Sequence, residues 1–155
     1  CCMHLSDFSN LINLTSLTLT KIHFEKHQLD DLLSNCTLLE SLTTVECSRM
    51  IKMEINSTSL KRLVVRSCDS LALGIVFCAP KLEYFEYGGR LINFRAINLD
   101  GIKEILLDFR LSAFVLYNSM GVRNVFSCFR QARILNVNTW VLKVTVLLIA
   151  LIFSH

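Results

Sequence analysis

The sequence predicts an α/β solenoid, in which short repeats stack so that their strands form one curved parallel sheet with irregular helical and extended returns outside. The first observation is a leucine-x-x-leucine-x-leucine spacing, which begins at Leu14, Leu39, Leu60, Leu82 and Ile102. The second is the interval of twenty to twenty-five residues between these starts. Both are typical of leucine-rich repeats, each a strand plus a return segment. Such a unit cannot close a core alone and must stack on its neighbours.

The first two units combine a strand with different returns. Residues 14–19 alternate in the first strand, and the apolar spacing within 25–33 predicts a short helix. In the second unit, Thr44 replaces the third framework leucine. The alternating apolar residues of 50–55 then predict an extended return.

The third unit, which starts at Leu60, is the most regular, and its apolar return over 73–78 ends at Pro80. In the fourth unit, Gly88 and Gly89 are expected to end the strand in a turn. We expect the following return to refill the core with Leu91, Phe94, Ile97 and Leu99.

A fifth and a weaker sixth unit complete the series of five to six repeats. The fifth strand starts at Ile102, and the sixth match consists of Ala132, Leu135 and Val137. A helix is predicted before it, over about residues 122–129.

Composition and charge argue against two classes of partner. Hydrophobic residues make up 52% of the 155 residues and charged residues 19%, which is more apolar than an average soluble domain. The net charge of +3 is too small to indicate binding to nucleic acid or to an anionic membrane. We therefore expect neither as a partner.

The seven cysteines favour reduced structural thiols. They include no C-x-x-C pair and their number is odd, so neither a disulfide framework nor a zinc site is indicated. Cys47 and Cys68 occupy equivalent repeat positions, where a buried cysteine acts as a small hydrophobe. This usage predicts a cytosolic or nuclear protein.

No catalytic or metal-binding motif is present in the sequence. His23 and His27 have an i, i+4 spacing but lack the central glutamate of H-E-x-x-H, so a solvated return segment is the preferred interpretation over a zinc site. Neither a phosphate loop nor a nucleophile elbow occurs. We predict no catalytic residues, no cofactor and no bound metal.

Alternation within the strands predicts a candidate binding surface, which we call the concave strip. Framework leucines face the core, so the residues between them face solvent. The strip comprises Ser16, Thr18, Thr20, Ser41, Thr43, Val45, Arg62, Val64, Arg66, Tyr84, Glu86, Gly88, Glu104, Leu106, Asp108, Ile134, Asn136 and Asn138. It changes from hydroxyl-rich to basic to acidic along the solenoid.

Six residues of the strip are the candidate partner-binding set: Arg62, Arg66, Tyr84, Glu86, Glu104 and Asp108. Tyr84 is the most ligand-like, because aromatic and arginine side chains dominate binding hot spots. In the alternative interpretation, the two arginines only neutralise the acidic residues across neighbouring strands, which contributes about 0–1 kcal/mol for each exposed pair.

Several stretches of the sequence resemble a known protein family. Asn13-Leu-Thr-Ser-Leu-Thr-Leu, Ser34-Asn-Cys-Thr-Leu-Leu-Glu-Ser-Leu and Ala79-Pro-Lys-Leu-Glu-Tyr-Phe resemble the repeat region of plant F-box/leucine-rich-repeat proteins of the FBD type. The likeness covers about residues 8–140. It implies non-catalytic recognition of a protein substrate for a cullin-based ubiquitin ligase. In that family an N-terminal F-box docks on the ligase core, and no F-box precedes Leu5 here, so this chain alone is not expected to couple to the ligase.

The C-terminal segment departs from the repeats. We predict a repeat domain over residues 1–140 and an apolar tail over 141–155, whose run of thirteen residues falls short of the ~20 that a membrane-spanning helix needs. A buried closing element, a membrane tail and read-through sequence are the three interpretations. Because a solenoid needs a polar cap, truncation or read-through is preferred, and the first residue, Cys1, also suggests a fragment.

Two alternative functions remain open at this stage. One is the repeat region of an intracellular plant immune receptor. The other is a membrane-anchored receptor fragment, which would be glycosylated at Asn13 or Asn56 of its three N-x-S/T sequons (the third is at Asn35).

Overall fold

The computed structural model describes residues 11–24, 28–110 and 119–138. Secondary structure within these ranges follows the order β1 (Ser16–Thr20), α1 (Gln28–Asn35), β2 (Ser41–Val45), β3 (Lys52–Asn56), β4 (Arg62–Arg66), β5 (Gly74–Cys78), β6 (Tyr84–Gly89), β7 (Phe94–Asn98), β8 (Glu104–Phe109), α2 (Ser119–Cys128) and β9 (Ile134–Val137). The predicted tail over 141–155, the start of the first helix at 25–27, and His27 lie outside the described residues.

The repeated strands form a six-stranded parallel sheet in the order β1-β2-β4-β6-β8-β9. Equivalent repeat positions pair without slippage. The inward column is Leu17, Leu42, Leu63, Phe85, Ile105 and Leu135. This arrangement confirms the predicted α/β solenoid, and the weak sixth match forms the last strand, β9.

The extended returns form a second parallel sheet, β3-β5-β7. The extended conformation predicted for residues 50–55 and for 73–78 is confirmed, although the sequence did not indicate that these segments pair. Helices replace the strand in two returns. Helix α1 packs against β3 and helix α2 packs against β7, so each edge of the second sheet has a helix beside it.

The core lies between the two sheets, and aromatic side chains fill its C-terminal half. Phe94 of β7 is at its centre, with its ring centroid 5.1 Å from that of Phe129, 5.5 Å from Tyr87 and 5.9 Å from Phe85. The Phe77 and Phe85 rings meet edge to face at 4.9 Å. Such pairs add about 0.5–1.5 kcal/mol each beyond the area they bury.

A buried cysteine comes two residues after the end of each of the strands β2 and β4. Cys47 and Cys68 are each 1% exposed, and the Cys68 thiol donates to the Thr44 hydroxyl at 3.7 Å. Contact with the Cys47 sulfur, together with burial, holds the pKa of the Cys68 thiol well above its usual range. Thr44 therefore does more than replace a leucine, because its hydroxyl accepts a hydrogen bond inside the core.

Two predictions for the fourth repeat were wrong. Ile97 was expected in the core but is 62% exposed, because it lies three residues after the buried Phe94 and hence on the opposite face of β7. Gly88 and Gly89 were expected to end their strand. Instead β6 continues through both, since Gly88 pairs with Arg66 and Asp108 and is held between two neighbouring strands.

Replacing Gly74 by alanine should destabilise the protein by about 2 kcal/mol or more. Its φ of 84° is unfavourable for any other residue, and a Cβ atom would lie 2.0 Å from the backbone oxygen of Asn93. Gly88→Ala is the matched control, because its Cβ would meet no atom closer than 3.9 Å. Urea unfolding of both variants measures the difference, and equal midpoints would contradict the prediction.

Replacing Asn124 by leucine should loosen α2 from the second sheet. The Phe94 N–H donates to Asn124 Oδ1 at 2.8 Å, and Asn124 Nδ2 donates to the Phe94 carbonyl at 2.8 Å. Loss of both partners from a buried strand edge should cost about 1–3 kcal/mol. Hydrogen exchange at Phe94 should accelerate, whereas Ser127→Ala, on an exposed position of the same helix, should leave it unchanged.

Candidate partner-binding surface

The concave strip forms three columns across the six-stranded sheet. The first column contains Ser16, Ser41, Arg62, Tyr84, Glu104 and Ile134. The second contains Thr18, Thr43, Val64, Glu86, Leu106 and Asn136. The third runs from Thr20 through Val45, Arg66 and Gly88 to Asp108. Hydroxyl groups therefore lie on β1 and β2, arginines on β4, and carboxylates on β6 and β8.

Arg62 and Tyr84 form a stacked pair at the middle of the first column. The guanidinium carbon of Arg62 lies 3.8 Å from the centroid of the Tyr84 ring. A cation over an aromatic face is worth about 0.5–1 kcal/mol at an exposed site. Stacking favours one orientation of the two side chains, and Arg62 remains exposed to solvent.

Glu86 is the buried acid of the strip. Its side chain accepts a hydrogen bond from Arg66 Nε at 2.6 Å, and the Arg66 Nη2 atom lies 2.6 Å from the same oxygen. The Tyr84 hydroxyl donates to the other carboxylate oxygen at 2.9 Å. Burial, followed by the hydrogen bond to Glu86, raises the pKa of Tyr84, so the phenol remains a donor at neutral pH.

Two strip positions depart from the predicted exposure. Glu86 is only 8% exposed and Val64 only 3%. Both lie in the middle column at the centre of the sheet, flanked on each side by a strand. Arg66 and Tyr84 close over the Glu86 carboxylate. The sequence correctly predicts that Glu86 and Val64 lie on the face of the sheet away from the core. It does not predict that neighbouring side chains bury them there.

The acidic end of the strip is paired with amides. Asn138 Nδ2 donates to Asp108 Oδ1 at 2.8 Å, and Asn136 Nδ2 approaches Glu104 Oε1 at 3.5 Å. Across residues 11–24, 28–110 and 119–138, neither carboxylate forms an ion pair. These two negative charges therefore remain uncompensated by any cation of the described chain.

The structure brings four of the six predicted residues into contact: Arg62, Tyr84, Glu86 and Arg66 form one chain of interactions. Glu104 and Asp108 lie on the next strand and join the amides of β9 and its end instead. The neutralisation hypothesis thus holds for Arg66 and Glu86 only. Arg62 forms no ion pair within the described parts of the chain.

A row of alternating charges lies beside the first column, at the residue immediately before each of the strands β2, β4, β6 and β8. Lys61 pairs with Glu40 at 2.7 Å and Lys103 with Glu83 at 2.8 Å. The Lys103 ammonium lowers the pKa of Glu83. These two pairs neutralise the row from β2 to β8, whereas Arg133, at the equivalent position before β9, forms no ion pair among the described residues.

A groove outside the strip was not indicated by the sequence. Its volume is about 410 Å³, and it lies between β7 and α2, with Arg95, Asp100, Cys128 and Arg130 among its lining residues. Burial raises the pKa of the Cys128 thiol to about 11. Arg95 lies on β7 and Arg130 follows α2. No spacing in the sequence indicates that these two arginines line the same groove.

Neither a catalytic nor a metal centre emerges from the part of the chain that the structure describes. Within it, no group of three or more histidine, cysteine or acidic residues could hold a metal ion. The ring of His23 contacts the Ser48 hydroxyl at 2.5 Å, while His27, the other histidine of the i, i+4 pair, lies outside the described residues.

In-register parallel strands, the first five starting twenty to twenty-five residues apart and the sixth thirty residues later, with returns on the other side of the core, define a leucine-rich-repeat protein. The model of the At1g61320/AtMIF1 leucine-rich-repeat domain family matches residues 1–146. The chain therefore belongs to that family. Leucine-rich-repeat domains are generally non-catalytic and bind proteins.

One curated relative is the putative F-box protein At3g29830 of Arabidopsis thaliana. It is 29% identical to this chain over 105 residues, which is 66% of this chain and 23% of the relative. The chain thus spans about a quarter of the length of the relative. No solved structure gives a significant match.

The hydrogen bond between Tyr84 and Glu86 should appear as coupling between their substitutions. Tyr84→Phe removes the donor and keeps the ring under Arg62, and Glu86→Met removes the acceptor at a similar side-chain length. We expect a coupling energy of about 1 kcal/mol in a double-mutant cycle of urea unfolding. Additive effects of the two substitutions would show that the hydrogen bond does not contribute to the free energy of unfolding.

Proposed function

We propose that this chain is the substrate-recognition region of an F-box-type ubiquitin ligase component and that it holds its protein substrate on the concave strip. The similarity to a putative F-box protein supports the ligase role and favours it over an immune receptor. Coupling to the ligase core would need an F-box, which is expected outside these residues.

The observation that carries the binding role is the fixed arrangement of Arg62, Tyr84, Glu86 and Arg66. A surface arginine and tyrosine usually lose side-chain entropy on binding, at a cost of about 0.5–1.5 kcal/mol for each immobilised side chain. Here stacking at 3.8 Å and a buried carboxylate already hold them in place. The two residue types that dominate binding hot spots are therefore preorganised on one face.

The proposed location is the cytoplasm or the nucleus, where ubiquitin ligases act and thiols stay reduced. The five described cysteines are free thiols. Within residues 11–24, 28–110 and 119–138, no helix is both long enough and apolar enough to cross a membrane.

Substitutions in the strip should abolish partner capture. We expect the Arg62→Glu and Tyr84→Ala variants to retain less than about a tenth of the protein captured by the wild-type chain from plant-cell extract, because each removes a hot-spot residue. Arg123→Glu makes the same charge change on an exposed residue of α2, outside both the strip and the groove, and should capture normally. Quantitative mass spectrometry measures the captured protein, and equal capture by all four chains would exclude binding through the strip.

The ligase role is tested separately on the captured protein. In plant cells expressing the full-length gene product, ubiquitination of that protein should fall when Arg62 is replaced by glutamate, and an in-frame F-box should be encoded upstream of Cys1. A nucleotide-binding domain in that position would instead favour the immune-receptor alternative.

A further inference from the structure

The strip retains one free positive charge and two free negative charges after its internal pairs are counted. Arg66 is neutralised by Glu86 at 2.6 Å. Among the described residues, Arg62 contacts Tyr84 and forms no ion pair, whereas Glu104 and Asp108 have only amide partners. The strip is therefore dipolar, with its positive end on β4 and its negative end on β8.

The distance between the two ends follows from the register. Arg62, Tyr84 and Glu104 occupy one column on the successive strands β4, β6 and β8. Neighbouring strands are about 4.8 Å apart, so the backbone positions of Arg62 and Glu104 are separated by about 10 Å. The backbone of Tyr84 lies midway between them, and its ring lies against the Arg62 guanidinium at 3.8 Å.

A polyproline II segment matches this separation. It rises about 3.1 Å per residue with three residues per turn, so residues i and i+3 lie on the same side, about 9 Å apart. In a β-strand, residues on one side are about 6.6 or 13 Å apart, at i+2 or i+4. Neither of these values fits the column.

We propose that the strip binds an extended, polyproline II-like segment of its protein substrate that crosses the strands and carries an acidic and a basic residue three positions apart. The acidic residue pairs with Arg62 and the basic residue with Glu104, in either chain direction. The intervening residues lie over Tyr84. This inference rests on the proposed function, since it specifies the ligand of the same surface.

Charge complementarity selects this class of partner over a nucleic acid. Glu104 and Asp108 would repel a phosphate backbone that followed the strip past Arg62. Asp108, on the same strand as Glu104, strengthens the preference for a basic residue at that end. The neutral hydroxyls of Ser41 and Thr43 on the other side of Arg62 contribute no competing charge.

The test uses a display library of random linear peptides, selected on the purified 155-residue chain. Wild-type protein should enrich peptides with opposite charges at positions i and i+3. Arg62→Glu should shift the enriched pair to two basic residues, and Glu104→Arg should shift it to two acidic residues. The double variant should restore selection of opposite charges, and Arg123→Glu, on an exposed position of α2, should select the same peptides as the wild type.

Affinity measurement makes the result quantitative. A synthetic peptide from the wild-type selection should bind Arg62→Glu about tenfold more weakly, because an attraction is replaced by a repulsion of the same order. Matching circular dichroism spectra and unfolding midpoints establish that the variants are folded.

Three outcomes would overturn the inference: no enriched peptides, enrichment without the charge pair, or a pair that does not respond to the reversal of Arg62. If protein capture from extract still depends on Arg62 and Tyr84, the proposed function stands and only the peptide chemistry is wrong. Loss of that dependence as well would contradict both.

Discussion

In-register hydrogen bonding between the six parallel strands determines where every other part of this molecule lies. Because equivalent residues of successive repeats pair directly, the inward columns become continuous ridges that are apolar except at Thr44 and the Tyr87 hydroxyl, and each outward column becomes a continuous row of side chains. A slip of one residue in a single strand would turn its framework leucines to solvent. The core and the concave strip are thus two consequences of the same pairing.

The buried carboxylate of Glu86 connects the fold to the binding surface. An acid on a sheet face is usually solvated, but this one lies under Arg66 and Tyr84 and accepts hydrogen bonds from both. Satisfying the carboxylate fixes the tyrosine, and the tyrosine ring in turn supports Arg62. An internal ion pair of this kind adds little to stability, and its main effect here is to orient neighbouring side chains.

The features that depend on period-two alternation were predictable from the sequence, and those that depend on pairing between distant segments were not. The strands, the columns and the outward position of Arg62 follow from leucine spacing alone. The burial of Glu86 depends on which side chains flank it from neighbouring strands. Extended conformation at Gly88 likewise results from pairing on both sides, which overrides the turn preference of glycine. The second sheet was missed because its three returns share no repeated sequence motif.

The two sheets of the solenoid end differently, because helices lie at the edges of the outer sheet. The outer sheet stops at β3 and β7, and each of these strands packs against a helix, while the sheet with the strip continues further in both directions to β1 and β9. Asn124 occupies the hydrogen-bonding groups of Phe94 that an incoming strand would use. Unprotected strand edges are templates for pairing between molecules. Helix α2 therefore blocks edge-to-edge pairing of the outer sheet with another molecule at β7.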